Sequence, residues 1–257
     1  IIPFKINYSK KCSLAEAIIE KFKFSKVCFD NSLVTGLASY GNLSGLVVDV
    51  GYQFTQGGII FNGYEMKDTY ICQSFGGRDI LMSFENNLKR KGIYFSSELD
   101  QSIKNINKEY GEIALIDKSK CLETKGIKNI KSKNIILPDG SEIEIKEEIY
   151  LSNELLFKSK FSKNKNLTIP NIIENILKSA PVEIRKHIFS NISLIGGVTN
   201  TLNFDDRLAQ ELNVIIPMSS EYHIIGSFSD RETRSWIGGS VLSNNAEYLK
   251  SCEIKLD

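Results

Sequence analysis

The residue in this sequence best placed for chemistry is Asp49. It stands near the end of the apolar run Gly45-Leu-Val-Val-Asp49-Val-Gly51. Such a run reads as a buried strand that delivers a carboxylate to a glycine turn. An Asp there can hold a hydrated Mg²⁺ beside phosphate groups, while the N–H groups of the turn face the phosphate oxygens. The same string also reads as a plain hydrophobic strand ending in an Asp-x-Gly turn, and spacing alone leaves both open. Glycine pairs mark three further places. Ser193-Leu-Ile-Gly196-Gly197 is a short apolar run feeding a turn. Ser235-Trp236-Ile-Gly238-Gly239-Ser240 is an aromatic followed by a second Gly-Gly turn opening a helix. Gly76-Gly77-Arg78-Asp79 opens another helix. Without a Cβ, glycine lets a ligand or a neighbouring element approach the backbone closely. Trp236 itself reads as core packing rather than a stacking platform.

Other chemistry is thin. The two histidines, His187 and His223, do not make a histidine-rich metal site. The five cysteines (Cys12, Cys28, Cys72, Cys121 and Cys252) are widely spaced, with no CxxC pair, and read as reduced thiols of a cytosolic or nuclear protein.

The elements that must position Asp49 alternate between strand and helix. Ile1 to Asn7 reads as a strand. Ser13-Leu-Ala-Glu16 has the form of a capping box that starts a helix through Leu14, Ala17, Ile18 and Phe22. Lys26 to Phe29 is a short strand candidate, and Asn31 to Tyr40 a second helix. After the Asp49 strand, Thr55 to Phe61 with Asn62-Gly63 gives a strand and a hairpin turn. Helices are expected after Gly77 and over Ser97 to Tyr110. The lysine-rich stretch Cys121 to Lys133 reads as a solvated loop. Asn134 to Ile145 is a hairpin with Asp139-Gly140 at its turn. Lys158 to Asn166 reads as an exposed loop, and Thr168-Ile-Pro170 opens another helix. A short helix at Ala180 to Phe189, the strand Ile192 to Ile195, the helix Phe204 to Leu212, the strand Tyr222 to Ile225 and the helix Trp236 to Asn244 complete the alternation. It predicts an α/β class.

Composition sets outer bounds. The chain has 257 residues, enough for one large or two small domains, with 42% hydrophobic and 25% charged residues and a net charge of +1. That charge gives no general attraction to nucleic acid or to an anionic membrane, so no direct contact with either is expected. No apolar run approaches the ~18 residues of a membrane span. The opening on Ile1 without a methionine, and the ending Ile254-Lys-Leu-Asp257, fit a piece of a longer chain.

The order of the markers resembles the actin and actin-related protein family. Asp49-Val-Gly51, Gly77-Arg78-Asp79, Leu137-Pro-Asp-Gly140, Ile195-Gly-Gly197 and Trp236-Ile-Gly-Gly-Ser240 follow one another as in actins, over about residues 2 to 256. The resemblance implies the larger lobe of the actin-like ATPase fold. That is an RNase H-like core formed by 1–75 and 168–257, with a smaller α/β subdomain, 76–167, inserted. It implies a nucleotide cleft for ATP or ADP with Mg, in which Asp49, Gly51, Gly77, Gly196 and Gly197 are the matching positions and Asp49 meets the metal through water. The family's first phosphate loop and its small flexible subdomain have no counterpart here.

The departures from the family fall on the groups that touch nucleotide. Tyr52 and Gln53 stand where actins have Asp and Gly. Ser32 falls near a Gln that orients the attacking water. Asn107 and Lys108 replace a Lys-Glu pair, Leu202 and Asn203 replace a Tyr-Pro, and Glu232 replaces a Lys beside the base. Scaffold glycines kept beside substituted contacts point to a divergent, non-catalytic subunit of a larger assembly, either chromatin-remodelling or cytoskeletal. Its partners would be proteins in a multi-subunit complex, with self-association through the exposed inter-lobe face, in the cytoplasm or nucleus. The alternatives are an ATP-binding homologue completed by a missing lobe, with Asp49 on hydrated Mg²⁺, and a filament-forming subunit.

Overall fold

The computed structural model describes residues 7–24, 26–95, 101–124, 132–137, 140–161, 166–226 and 230–252. The strand expected over Ile1 to Asn7, the Pro138–Asp139 turn and the last residues, 253–257, fall wholly or largely outside these. In chain order the elements are α1 (Tyr8–Phe22), α2 (Ser32–Ala38), β1 (Gly45–Val50), β2 (Thr55–Phe61), β3 (Tyr64–Glu65), β4 (Ile71–Gln73), α3 (Gly77–Arg90), α4 (Gln101–Tyr110), α5 (Ile116–Thr124), β5 (Lys133–Ile136), β6 (Glu142–Ile145), α6 (Glu148–Leu151), α7 (Ile169–Ser179), α8 (Val182–Phe189), β7 (Ile192–Ile195), α9 (Phe204–Ile215), β8 (Ile224–Ile225), α10 (Arg234–Ser243) and α11 (Ala246–Cys252).

β1 lies inside a mixed sheet of order β3-β2-β1-β7-β8, with β4 also paired to β2. It runs antiparallel to β2 and parallel to β7, and β8 continues parallel to β7. Alternation then sorts its side chains. Leu46, Val48 and Val50 enter one core with Ile172, Ile173 and Ile176 of α7 and Leu208 and Leu212 of α9. Val47 enters the opposite core with Leu33, Val34 and Leu37 of α2. Asp49, two residues on from Val47, shares the α2 face. A third apolar cluster joins Leu81, Phe84 and Leu88 of α3, Ile103 and Ile106 of α4, Ile135 of β5, Ile143 and Ile145 of β6, and Ile149 and Tyr150 of α6.

Local chemistry sets the boundaries. Asn62 and Gly63, at φ of 52° and 82°, supply the two positive dihedrals of a type I′ hairpin between β2 and β3. Thr168 caps α7, accepting from the Asn171 N–H at 3.3 Å, with Pro170 in the first turn. Several expectations are corrected. The first helix starts at Tyr8, because Asn7 accepts from the Lys10 N–H at 2.9 Å and caps it. Ser13 lies inside that helix, its hydroxyl donating to the Ser9 carbonyl. Lys26 to Phe29 forms no strand, and α5 extends through Cys121 to Thr124 where a loop was expected. Gly238 and Gly239 lie within α10 rather than in a turn before it. Trp236 is 72% exposed, not core.

Candidate functional site

The site is built where β1, β2, β7 and the starts of α2 and α3 converge. Asp49 Oδ2 accepts from Ser32 Oγ at 3.1 Å and from Gln56 Nε2 at 2.9 Å. Gln56 Nε2 also donates to Ser32 Oγ at 2.7 Å, which closes a triangle. Gln56 Oε1 in turn accepts from the Tyr70 hydroxyl at 2.7 Å. Register explains the meeting, since Asp49 and Gln56 are direct partners across the β1–β2 ladder. Burial pushes the Asp49 carboxyl above the usual carboxylate range, and the Gln56 and Ser32 hydrogen bonds oppose that shift. Burial also raises the Tyr70 phenol, with a contribution from the neighbouring Cys72 thiol, so Tyr70 stays a donor. Next to this group Asn31 caps α2 and donates its Nδ2 to Glu65 Oε1 at 2.6 Å, and burial raises the Glu65 carboxyl as well.

The glycines divide into two kinds. Gly196 has φ of +90°, and a Cβ there would lie 2.5 Å from the Val50 carbonyl oxygen and 2.6 Å from Asp49 Oδ1. A Cβ at Gly77 would meet Val198 Cγ2 at 3.0 Å, and one at Gly76 the Gly51 carbonyl oxygen at 2.5 Å. Packing of the chain on itself requires glycine at 196 and 76, whereas at 77 the Val198 side chain would have to give by a few tenths of an ångström. The Gly77 and Arg78 N–H groups at the start of α3 donate to the carbonyls of Gly51 and Tyr52 at 3.0 and 2.8 Å, which fastens α3 to the β1–β2 turn. A Cβ at Gly51 would stand 3.4 Å from the Phe54 carbonyl oxygen, and one at Gly197 3.6 Å from Glu232 Cβ. Protein packing demands much less of those two positions.

All five glycine and carboxylate positions singled out in the sequence therefore lie around one turn region. Asp49, Gly51, Gly76 and Gly196 share direct contacts, Gly77 binds Gly51, and Gly197 faces Glu232. The groups that would have to meet a Mg-nucleotide fit poorly. The β1–β2 turn presents Tyr52 at 48% and Phe54 at 46% exposure. Glu232 lies beside Gly197, its Cβ 3.6 Å from where a Cβ there would stand, and its carboxylate accepts from Asn200 Nδ2. The adjacent guanidinium, Arg231, is buried. It grips both carboxylate oxygens of Asp205 at 2.8 and 2.7 Å and donates to the Thr199 and Gly226 carbonyls, so its charge is committed to α9. Asn107 Oδ1 and Asn200 Oδ1 are buried acceptors without a hydrogen-bond partner. Around Gly197 the side chains thus offer an acceptor and a carboxylate, while the adjacent guanidinium is committed elsewhere. One feature does suit a hydrated cation. Asp49 Oδ1 has no protein donor among the described residues.

Sequence reasoning missed Gln56 and Arg231. A signal existed for Gln56. It is a long amide inside the otherwise apolar strand Thr55–Phe61, and a buried amide must find partners.

A family model described as Actin matches residues 3–120 and 103–255. Among curated proteins the chain is 27% identical over 237 residues to putative actin-29 of Dictyostelium discoideum, covering 90% of this chain and 61% of that one. It is 27% identical over 231 residues to actin-like protein 7A of Rattus norvegicus, covering 90% and 51%. The chain thus spans about half to three-fifths of the length of these relatives. With its mixed sheet and helix-covered faces, this chain belongs to the actin family and carries the actin-like ATPase fold.

Proposed function

We propose that this protein is a divergent actin-related, non-catalytic subunit whose cleft serves structure rather than nucleotide turnover. It would act through protein partners in a larger assembly, cytoskeletal or chromatin-associated. The observation that carries this reading is Glu232 beside Gly197 with its carboxylate on Asn200, while the neighbouring Arg231 charge is tied to Asp205. At close range and an effective dielectric of ~20, replacing an attraction to a polyanion by a repulsion changes a local term by on the order of a few kcal/mol before salt screening. Both the positioning and the charge-stabilising groups that phosphoryl transfer needs are then short. We further read 76–167 as a subdomain inserted in a core of 1–75 and 168–257. The separate apolar cluster of α3, α4, β5, β6 and α6 supports that division.

Calorimetric titration with Mg-ATP, together with a phosphate-release assay on the full-length gene product, tests the reading. No saturable heat and no turnover are expected. Tight binding with turnover would overturn it. The free Asp49 Oδ1 favours a second reading, an ATP-binding homologue completed by a further lobe. Saturable binding lost in Asp49→Ala would select it.

A further inference from the structure

Gln56 holds a position that no sequence motif announces and that the proposed role leaves unexplained. Its side chain is fully used. One amide N–H serves Asp49 Oδ2 at 2.9 Å, the other serves Ser32 Oγ at 2.7 Å, and the amide oxygen accepts from the Tyr70 hydroxyl at 2.7 Å. Ser32 Oγ accepts from Gln56 and donates to Asp49 at 3.1 Å, so its hydrogen-bonding capacity is matched as well. The four residues come from four places: β1, β2, the first residue of α2, and Tyr70, just before β4. Gln56 is 7% exposed, so water does not compete effectively for its amide. No lysine or arginine among the described residues takes part. Lys and Arg ion pairs among the described residues lie elsewhere, on Asp117, Asp205, Asp230 and a set of glutamates.

We infer that Gln56 is a positioning residue that replaces a cation. Its amide supplies to Asp49 the positive field a metal would give, and it fastens β1, β2 and α2 together so that the cleft keeps its shape without Mg²⁺. This rests on the reading of the cleft as structural, and it adds that the lobe's stability is indifferent to divalent cations. The physical basis is complementarity. A desolvated carboxylate needs donors or a cation, and here two neutral donors are built in and are themselves oriented by a third residue.

Gln56→Glu tests the idea with almost no change in shape. It places a second carboxylate about where an amide nitrogen stood, within hydrogen-bonding distance of the first, and makes an acceptor pair that lacks a cation. The measurement is heat unfolding in EDTA and in MgCl₂, without nucleotide, on wild type, Gln56→Glu and Gln56→Leu. The wild-type midpoint is expected to be the same in both media. Gln56→Glu should melt several degrees lower in EDTA and recover part of the loss in MgCl₂. Gln56→Leu should melt lower than wild type, because the carboxylate loses a donor. A wild-type midpoint that rises with MgCl₂ would overturn the inference, as would a Gln56→Leu protein as stable as wild type. If Gln56→Glu does not fold in either medium, the wild-type and Gln56→Leu arms still decide. These outcomes are separable from the fate of the functional reading, which turns on Mg-ATP. A cation-indifferent protein that nonetheless binds and hydrolyses ATP would keep the inference and remove the function.

Discussion

A carboxylate on a central strand has to be neutralised, solvated or given donors, and Asp49 is given two. The consequence for pH follows from its direction of shift. Burial raises its folded pKa above the unfolded value, so between the two the folded state binds more protons than the unfolded state. Stability contributed at this site is therefore lost as pH rises from the unfolded pKa through the folded one. Asp49→Asn should remove that dependence and keep an acceptor for Ser32 and Gln56. Melting curves of both proteins across the acidic range should diverge as pH rises, with the Asn variant holding its midpoint. A second residue-scale prediction concerns Arg207, whose guanidinium is fully buried and bonds Glu154 Oε1 at 2.9 Å and Glu211 Oε1 at 2.9 Å. Arg207→Met leaves Glu154 buried without its partner and should cost about 3–5 kcal/mol in urea unfolding, with Glu154→Leu added to it restoring part of the loss. Asp49 was legible because its strand and glycine turn are local in sequence. Gln56, Ser32 and Tyr70 were not read as its partners, because strand register and the docking of α2 bring them together.

Elements were read best where a cap or turn is encoded by adjacent residues. Thr168-Ile-Pro170 and Asn62-Gly63 fall where the sequence puts them. The reading failed where two signals competed. Ser13-Leu-Ala-Glu16 has the pattern of a start, yet Asn7 upstream offers an acceptor and the chain winds from there. The Gly238–Gly239 pair suggests a turn, but Gly238 serves close helix packing. A Cβ at Gly238 would overlap the Thr35 carbonyl, because α10 lies directly on α2. Gly238→Ala should therefore separate the two helices and yield little folded protein. Trp236→Ala, two residues away and 72% exposed, should change stability by less than about 0.5 kcal/mol. Circular dichroism and thermal unfolding of the two variants compare them directly. Equal behaviour would mean that α10 does not pack as described.

At the scale of the molecule, alternating strands and helices predicted an α/β protein, and the mixed sheet with helices on both faces is one. The order of family markers along the chain predicted the actin-like fold, and the family match over nearly the whole chain agrees with it. Among the described residues no helix is long and apolar enough to cross a membrane. What the sequence could not show is how the cleft treats charge, since the commitment of Arg231 to Asp205 and the approach of Glu232 to Gly197 are tertiary facts. The central claim is that the fold has been kept while the cleft has stopped serving nucleotide. Its most direct test is unfolding of the full-length protein with and without Mg-ATP, where a ligand at a hundred times its Kd would add about 2.7 kcal/mol. No shift is expected in a folded protein. A saturable shift abolished by Asp49→Ala would contradict it.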